Sequence, residues 1–418
     1  MTQPYTATTE SHKASMLSRK FGQEIVNYFS GSPLNRVSFL RSNTAFLRAA
    51  LPRSKFLLLR DLEPLAASKT TLAWVGYEAV RTLVGNPFDT EEEEFVRGYD
   101  SRVEVPTLVF LGINEGVVGG GQGGGDGERF EFEGEGGKYV GRPCFALDVT
   151  GKGSLREECI KVQEEAVKGT EGREFRRVRL DLGLTPPDAA ILAQARSLLD
   201  WNNRNQFCSA CGASTVSINA GTKRICPPSD KALQKNLEDP PFERPPCISR
   251  KGIHNITFPR TDPTVIMAII NSTGDKVLLG RQRRWPKDFY STLAGFCEPA
   301  ESVEDAVRRE TWEESGVRVG RVVIHSTQPW PYPANLMMGA IGEALPDGEG
   351  IVLKHDPELE DAQWVEFGQV RSALDGSTGT PDVEVEGAAE GQLRLPPSTA
   401  IAHQLLLAVV NGFHLAKP

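Results

Sequence analysis

Long apolar runs are absent from this sequence: no stretch approaches the roughly 20 residues that a bilayer-spanning helix needs, so no membrane contact is expected. Cysteine is scarce, with seven in 418 residues, which excludes a disulfide-stapled miniprotein. The first thirty residues carry Ser, Thr and Lys without the apolar centre of a secretory signal, so a chain that is not secreted, with reduced thiols, is expected. Basic residues are not in excess either. Lys and Arg number 47 against 55 Asp and Glu, a net charge of -8, which excludes binding of duplex nucleic acid by bulk charge and leaves room only for a local basic groove. No internal repeat is evident. What is present, 39% apolar and 24% charged residues, is the composition of a soluble globular protein with two or three domains.

Four segments follow from the pattern. Residues 1–30 are polar and Ser/Thr-rich and read as a disordered lead-in. Residues 31–184 form a mixed domain: the runs Phe56 to Leu59, Thr107 to Gly112 and Cys144 to Val149 read as strands, and Phe39 to Ala50 and Glu157 to Val167 as helices. Within it, residues 117–137 are so rich in Gly and acid that a solvated loop is expected, and their GxG patterns lack the flanking strand and helix of a phosphate-binding loop. Residues 185–258 begin with a Pro- and Asp-initiated helix through about Asn202 that leads into a cysteine-containing segment. Residues 259–418 open with a hairpin signal, TVIMAII, NSTGD and KVLLGR, carry a polar insert at 375–391, and close on a helix read from LPPSTAIAHQLLLAVV.

Cys208 and Cys211 stand at the CxxC spacing at which two thiolates chelate one ion from a tight turn, and tetrahedral Zn²⁺ suits them. Cys226 follows at a ribbon-like distance. Cys247 would complete a four-thiolate structural site, His254 would give three Cys and one His, and the plainer alternative makes Cys226 and Cys247 buried thiols. Cys144, Cys159 and Cys297 are scattered singly and read as buried thiols.

Residues 291–317 carry seven carboxylates against two arginines. Ser302 can cap a helix start with Asp305 three residues on, and Gly316 suits its end, so a helix is expected from about Val303 to Ser315. An acid-rich helix is commonly a solvated face, yet at about 100° per residue Glu310 and Glu314 fall near the stripe of Val303, Ala306 and Val307, with Glu313 at its margin. Carboxylates on an inward face call for a divalent cation, and hard oxygen ligands favour Mg²⁺ or Mn²⁺.

Gly295, five residues, Glu301, seven residues, then Arg309, Glu310, Thr311, Trp312, Glu313, Glu314, Ser315, Gly316 and Val317 together resemble the Nudix box, departing from it at Thr311, where an aliphatic residue is usual. Downstream, TQPWPYPANLMMG from Thr327 to Gly339, set behind the cysteine knuckle, resembles the SQPWPFPxS signature of NADH pyrophosphatases. The resemblance covers about Phe207 to Leu407 and weakens over the N-terminal domain. It implies an α+β protein: a Nudix α/β/α sandwich with a mixed sheet, preceded by a zinc ribbon and an N-terminal degenerate Nudix-like α+β domain.

The function so implied is metal-dependent hydrolysis of the pyrophosphate bond of NADH, and of NAD⁺, to AMP and nicotinamide mononucleotide. Removal of NAD caps from RNA 5′ ends uses the same chemistry. The rival from another class is a zinc-ribbon and Nudix binding module without turnover, against which the complete carboxylate set argues; diadenosine polyphosphate or ADP-ribose would be a different Nudix substrate. The resemblance makes Glu310, Glu314, Glu358 and the Ala294 carbonyl ligands of Mg²⁺ or Mn²⁺, with Glu360 and Asp361 as competitors of Glu358. It makes Glu313 or Glu314 the residue that orients or deprotonates water, and Glu301 and Arg309 a structural ion pair. Substrate contacts would come from Phe258, Phe296, Gln328, Pro329, Trp330, Pro331, Tyr332, Pro333, Ala334, Asn335 and Ala402. A homodimer is implied too. Some relatives are peroxisomal, but the chain ends Ala416-Lys417-Pro418 with no SKL-like address, so the cytosol is expected.

Overall fold

The computed structural model describes residue 16 and residues 24–116, 130–134, 137–168, 172–177, 183–234, 236, 240, 242–252, 258–355, 358–376, 378–380 and 392–412. Two compact units result, one of Ser32–Val178 with Leu184–Arg260, the other of Met1–Gly31, Arg179–Gly183 and Thr261–Pro418. Among the described residues no helix is long and apolar enough to cross a membrane.

The first unit runs β1 (Leu34–Asn35), α1 (Thr44–Ala50), β2 (Lys55–Arg60), β3 (Glu63–Ala66), β4 (Val75–Gly76), α2 (Arg81–Val84), α3 (Glu92–Arg97), β5 (Leu108–Asn114), β6 (Phe130–Gly134), β7 (Gly137–Asp148), α4 (Arg156–Val167) and β8 (Glu174–Phe175). Its sheet has the order β1-β5-β7-β2-β3-β8, with β4 on β2 and β6 on β7. The unbroken run Phe56 to Leu59 is buried because β2 lies inside the sheet, parallel to β7, with both faces covered.

The helix read from Phe39 is split, with a 3₁₀ turn at Ser38–Leu40, and α1 starts at Thr44 because the Asn43 side chain accepts the Phe46 N–H at 2.8 Å. The acid- and Gly-rich segment expected to be a loop contributes β6, since FEFEG alternates with period two and turns Phe130 and Phe132 onto Phe46. Residues 117–129 lie outside the described residues.

Helix α5 (Pro186–Arg204) packs on this sheet, its buried Gln194 donating to the Leu111 carbonyl at 2.9 Å. The ribbon strands follow in the same compact unit: β9 (Val216–Ile218) with β10 (Lys223–Ile225), and β11 (Ser229–Asp230) with β12 (Phe242–Glu243). Arg224 of β10 fastens them, donating to Asn202 Oδ1 on α5 at 3.1 Å and to Thr215 Oγ1 at 2.8 Å.

The second unit comprises β13 (Asp262–Ile270), β14 (Lys276–Gln282), β15 (Leu293–Phe296), α6 (Val303–Ser315), β16 (Val319–Trp330), β17 (Asn335–Ala344), β18 (Leu359–Glu366), α7 (Phe367–Gly376) and α8 (Ile401–Val410). The strand order is β16-β17-β13-β14-β18, with β15 on β13, and the β13–β17 pair is parallel in an otherwise antiparallel sheet. Alternation along β13 builds three layers. Val265, Met267 and Ile269 pack with Ala306 and Val307 of α6, while Ile266 and Ala268 pack with Leu405 and Leu406 of α8 and Val370 of α7. This is the α/β/α sandwich, and it fixes α6 against β15.

The closing helix is shorter than expected. It starts at Ile401, because Leu395 is still bridged to Thr378 and Pro396 and Pro397 cannot continue a helical ladder. The segment expected to be a disordered lead-in packs at its end: Asn27 and Phe29 are buried within this second unit.

Candidate functional site

Helix α6 occupies Val303–Ser315, with Ser302 Oγ accepting the Asp305 N–H at 3.2 Å and Gly316 left-handed at φ +74°. Arg309, midway along this helix, uses all five of its N–H donors. It gives two bonds to Glu301, at 2.6 and 2.8 Å, one to Glu310 at 2.9 Å, one to Glu313 at 2.8 Å, and one to the Phe296 carbonyl at 2.8 Å. Glu301 in turn accepts the Glu298 N–H at 2.8 Å, so one guanidinium locks the loop after β15 to the helix. The Arg309 bond holds the Glu301 carboxyl down at about 2. Glu310 goes the other way: burial raises its pKa, the Arg309 bond opposes this, and the Glu313 and Glu301 charges add to the rise. A carboxylate that lacks sufficient positive charge around it is one that a cation would stabilise.

Gly295 explains why the carboxylate can sit there. A Cβ at that position would lie 2.0 Å from the Glu310 carboxyl carbon, so a side chain there would displace the carboxylate from this place beside β15. Above these residues opens a cavity of about 680 Å³. Its acidic lining is Glu298, Glu310, Glu313 and Glu358; its apolar lining includes Trp285, Phe289, Trp330 and Met337.

Of the residues singled out in the sequence, Ala294, Phe296, Gln328, Trp330, Asn335 and Ala402 border this cavity together with Arg309, Glu310, Glu313 and Glu358. Glu314 is buried and is not among the lining residues. Pro329 is at the end of β16, Pro331, Tyr332, Pro333 and Ala334 form the turn from β16 to β17, and the Ala334 carbonyl accepts the Asp262 N–H at 3.0 Å. Phe258 belongs to the first unit, where Lys223 Nζ stands 5.4 Å from its ring.

Glu358 accepts from Gln282 Nε2 at 2.7 Å, whereas Glu360 is paired with Arg281 at 2.7 Å and Asp361 accepts the Tyr290 hydroxyl. Gln328 is fully buried and uses its amide on the backbone, donating to Tyr28 O and Thr399 O and accepting from Ile401 N. Trp285, Phe289, Pro396 and Pro397 line the cavity without having been read from the sequence, because nothing local marks residues that converge only through the sheet.

Cys208, Cys211, Cys226 and Cys247 bring their four sulfurs within 4.8 Å of one another. The Cys208–Cys247 and Cys211–Cys226 separations are 3.7 and 3.6 Å, against about 3.8 Å for thiolates placed tetrahedrally at ~2.3 Å from zinc. Arg250 donates to Cys226 Sγ at 3.7 Å, a positive group suited to the excess charge of a tetrathiolate. The donor set therefore fits structural Zn²⁺. His254 lies outside the described residues.

Family profiles match three consecutive stretches: the NADH pyrophosphatase-like rudimentary NUDIX domain over residues 53–201, the NADH pyrophosphatase zinc ribbon domain over 203–234, and the NUDIX domain over 260–382. The chain is 34% identical over 385 residues to the NAD-capped RNA hydrolase of Schizosaccharomyces pombe, covering 91% of this chain and 92% of that one. It is 34% identical over 389 residues to the human NAD-capped RNA hydrolase NUDT12, covering 92% and 73%. With the mouse mitochondrial NAD(P)H pyrophosphatase NUDT13 it shares 33% identity over 264 residues, covering 63% and 66%.

Proposed function

Since the chain belongs to the NADH pyrophosphatase family of Nudix hydrolases, with its rudimentary Nudix-like domain and zinc ribbon, we propose that it cleaves the pyrophosphate of NADH, and less efficiently of NAD⁺, to AMP and the nicotinamide mononucleotide. In this step a water oxygen bonds to one phosphorus as the bridging P–O bond breaks. The released phosphate takes the electron pair, and the water proton passes to a carboxylate.

The observation that carries this reading is Glu310: a mostly buried carboxylate of raised pKa, admitted by Gly295, bordering a cavity whose other lining is aromatic. Glu310, Glu314, Glu358 and the Ala294 carbonyl would hold Mg²⁺ or Mn²⁺. Such an ion, when bound, polarises phosphoryl oxygens and lowers the pKa of a coordinated water. Glu313 or Glu314 would orient the attacking water or accept its proton, and the greater exposure of Glu313, 38% of its side chain against 14% for Glu310, supports Glu313. Arg309 keeps the three carboxylates Glu301, Glu310 and Glu313 in register. Trp330 and Phe296 offer aromatic faces to a planar base. Zn²⁺ at the four cysteines has a structural role, and the family resemblance supports a homodimer.

Relatives of S. pombe and human origin are named NAD-capped RNA hydrolases, and an NAD-capped RNA end presents the same bond; that substrate is the second reading. Initial rates on NADH, NAD⁺ and NAD-capped RNA with Mg²⁺ or Mn²⁺, for wild type and Glu310→Gln, test the proposal. The expected loss in the variant is at least about a hundredfold on every substrate that wild type cleaves, with zinc content unchanged. Equal rates would remove the carboxylate from the reaction, and no cleavage by metal-replete wild type would favour a binding module.

A further inference from the structure

Strand β16 is at an edge of its sheet, with β17 on one side. Edge strands leave backbone groups unpaired and are easily displaced unless something covers them. Here the cover comes from residues 27–29, which precede the whole first unit in sequence. The Asn27 side chain, through Nδ2, donates to the Thr327 carbonyl at 2.9 Å in place of a strand N–H, and to Ser326 Oγ at 3.0 Å. The Tyr28 carbonyl accepts from Gln328 Nε2 at 3.0 Å. The Phe29 ring meets Trp330 edge-on at 6.3 Å and Tyr332 at 6.4 Å. Residues 326, 327, 328, 330 and 332, the stretch that runs into the cavity wall, are thus each touched by one of three consecutive residues.

The backbone of this short segment is adapted to the task. Phe29 adopts φ +70°, a conformation uncommon for any residue with a Cβ and costly for a bulky one, so local preference does not hold it there. Burial does: Asn27 and Phe29 are 4% and 2% exposed. Gln328 extends the chain of contacts to Ile401 N and Thr399 O at the start of α8, which also borders the cavity.

We infer that Asn27 and Phe29 are positioning residues for substrate binding, acting through Trp330: the strap of residues 27–29 fixes the ring that the base of the dinucleotide meets. This rests on the proposed role of the cavity, specifically on Trp330 contacting substrate. Its reach is limited to binding. The carboxylates on α6 are held by Arg309 and are independent of the strap, so the chemical step should be spared.

A double-mutant cycle in the full-length, zinc-loaded protein tests it, with KM and kcat for NADH measured separately for wild type, Phe29→Ala, Trp330→Ala and the double variant, and with Phe29→Leu as the conservative control. The expected result is a KM raised about five- to tenfold by Phe29→Ala with kcat within about twofold, partial rescue in Phe29→Leu, and no further rise on adding Phe29→Ala to Trp330→Ala. Asn27→Ala should repeat the pattern. An unchanged KM in Phe29→Ala, or an equal rise in both backgrounds, overturns the inference while leaving the cavity reading intact. An unchanged KM in Trp330→Ala instead removes Trp330 from substrate binding, and with it the premise.

Discussion

Residue by residue, the site divides into groups whose chemistry is visible in spacing and groups whose reason is visible only in space. Glu310 stands out from the sequence because helical periodicity puts it beside the apolar stripe of α6, and it is indeed mostly buried there. Gly295 could be seen as part of a motif, but the 2.0 Å approach of a would-be Cβ to the Glu310 carboxyl appears only once β15 and α6 are packed. Glu358 has no local signal beyond its distance from Trp364, and the structure separates it from Glu360 and Asp361 because it alone of the three borders the cavity, while those two bond to Arg281 and Tyr290. Thr311, the one departure from the motif, is fully buried with its hydroxyl unpartnered among the described residues. Leaving a buried hydroxyl unsatisfied is unfavourable, so Thr311→Val, which keeps the shape, should raise the unfolding free energy by about 1 kcal/mol. Urea denaturation checks this; a destabilised variant would mean that the hydroxyl has a partner the account lacks.

At the level of elements, those with local stop and start signals were legible and those set by tertiary contacts were not. Helix α6 ends where Ser302 and Gly316 say it should, because caps act within one turn. Helix α8 begins later than its apolar pattern suggests, since the preceding residues are committed to a bridge with Thr378. The strap of residues 27–29 is too short to show a pattern: its partners lie about three hundred positions away, and it follows a polar, Ser/Thr-rich stretch. Helix α8 also carries a pH dependence. Burial lowers the pKa of His403, whose Nδ1 lies 3.0 Å from the Pro396 carbonyl, below the ordinary 6.5, and burial lowers His325 on β16 likewise. Each is harder to protonate in the folded chain than in the unfolded one, so unfolding takes up protons as pH falls past 6.5, and this stability is present above that value and lost as pH falls below it. The melting temperature should therefore fall between about pH 7.5 and about pH 5.5, and fall less in His403→Gln. An identical drop in that variant would assign the dependence elsewhere.

Taken whole, the molecule sets a structural zinc ribbon and a Nudix-like domain in one compact unit and the acidic cavity in another. The sequence announced the order of these parts, through CxxC and the acidic helix, yet placed a boundary at residue 184 that the packing of α5 and Arg224 erases. Such merging depends on contacts between distant residues, which composition and periodicity do not encode. Because four thiolates share one site, metal analysis should find one zinc per chain, and its removal by a strong chelator should lower the melting temperature of the ribbon-bearing unit by more than about 5 °C. Retention of full zinc by Cys247→Ser would exclude Cys247 as the fourth ligand. Mass spectrometry of the products formed from NADH and Mg²⁺ or Mn²⁺ in ¹⁸O-labelled water, with a chelated control, reads out whether cleavage falls at the pyrophosphate. AMP and reduced nicotinamide mononucleotide in equal amounts, one of them carrying a single ¹⁸O on its phosphate, and neither formed after chelation, is the predicted result. Free nicotinamide with ADP-ribose, or intact NADH in the presence of metal, would contradict it.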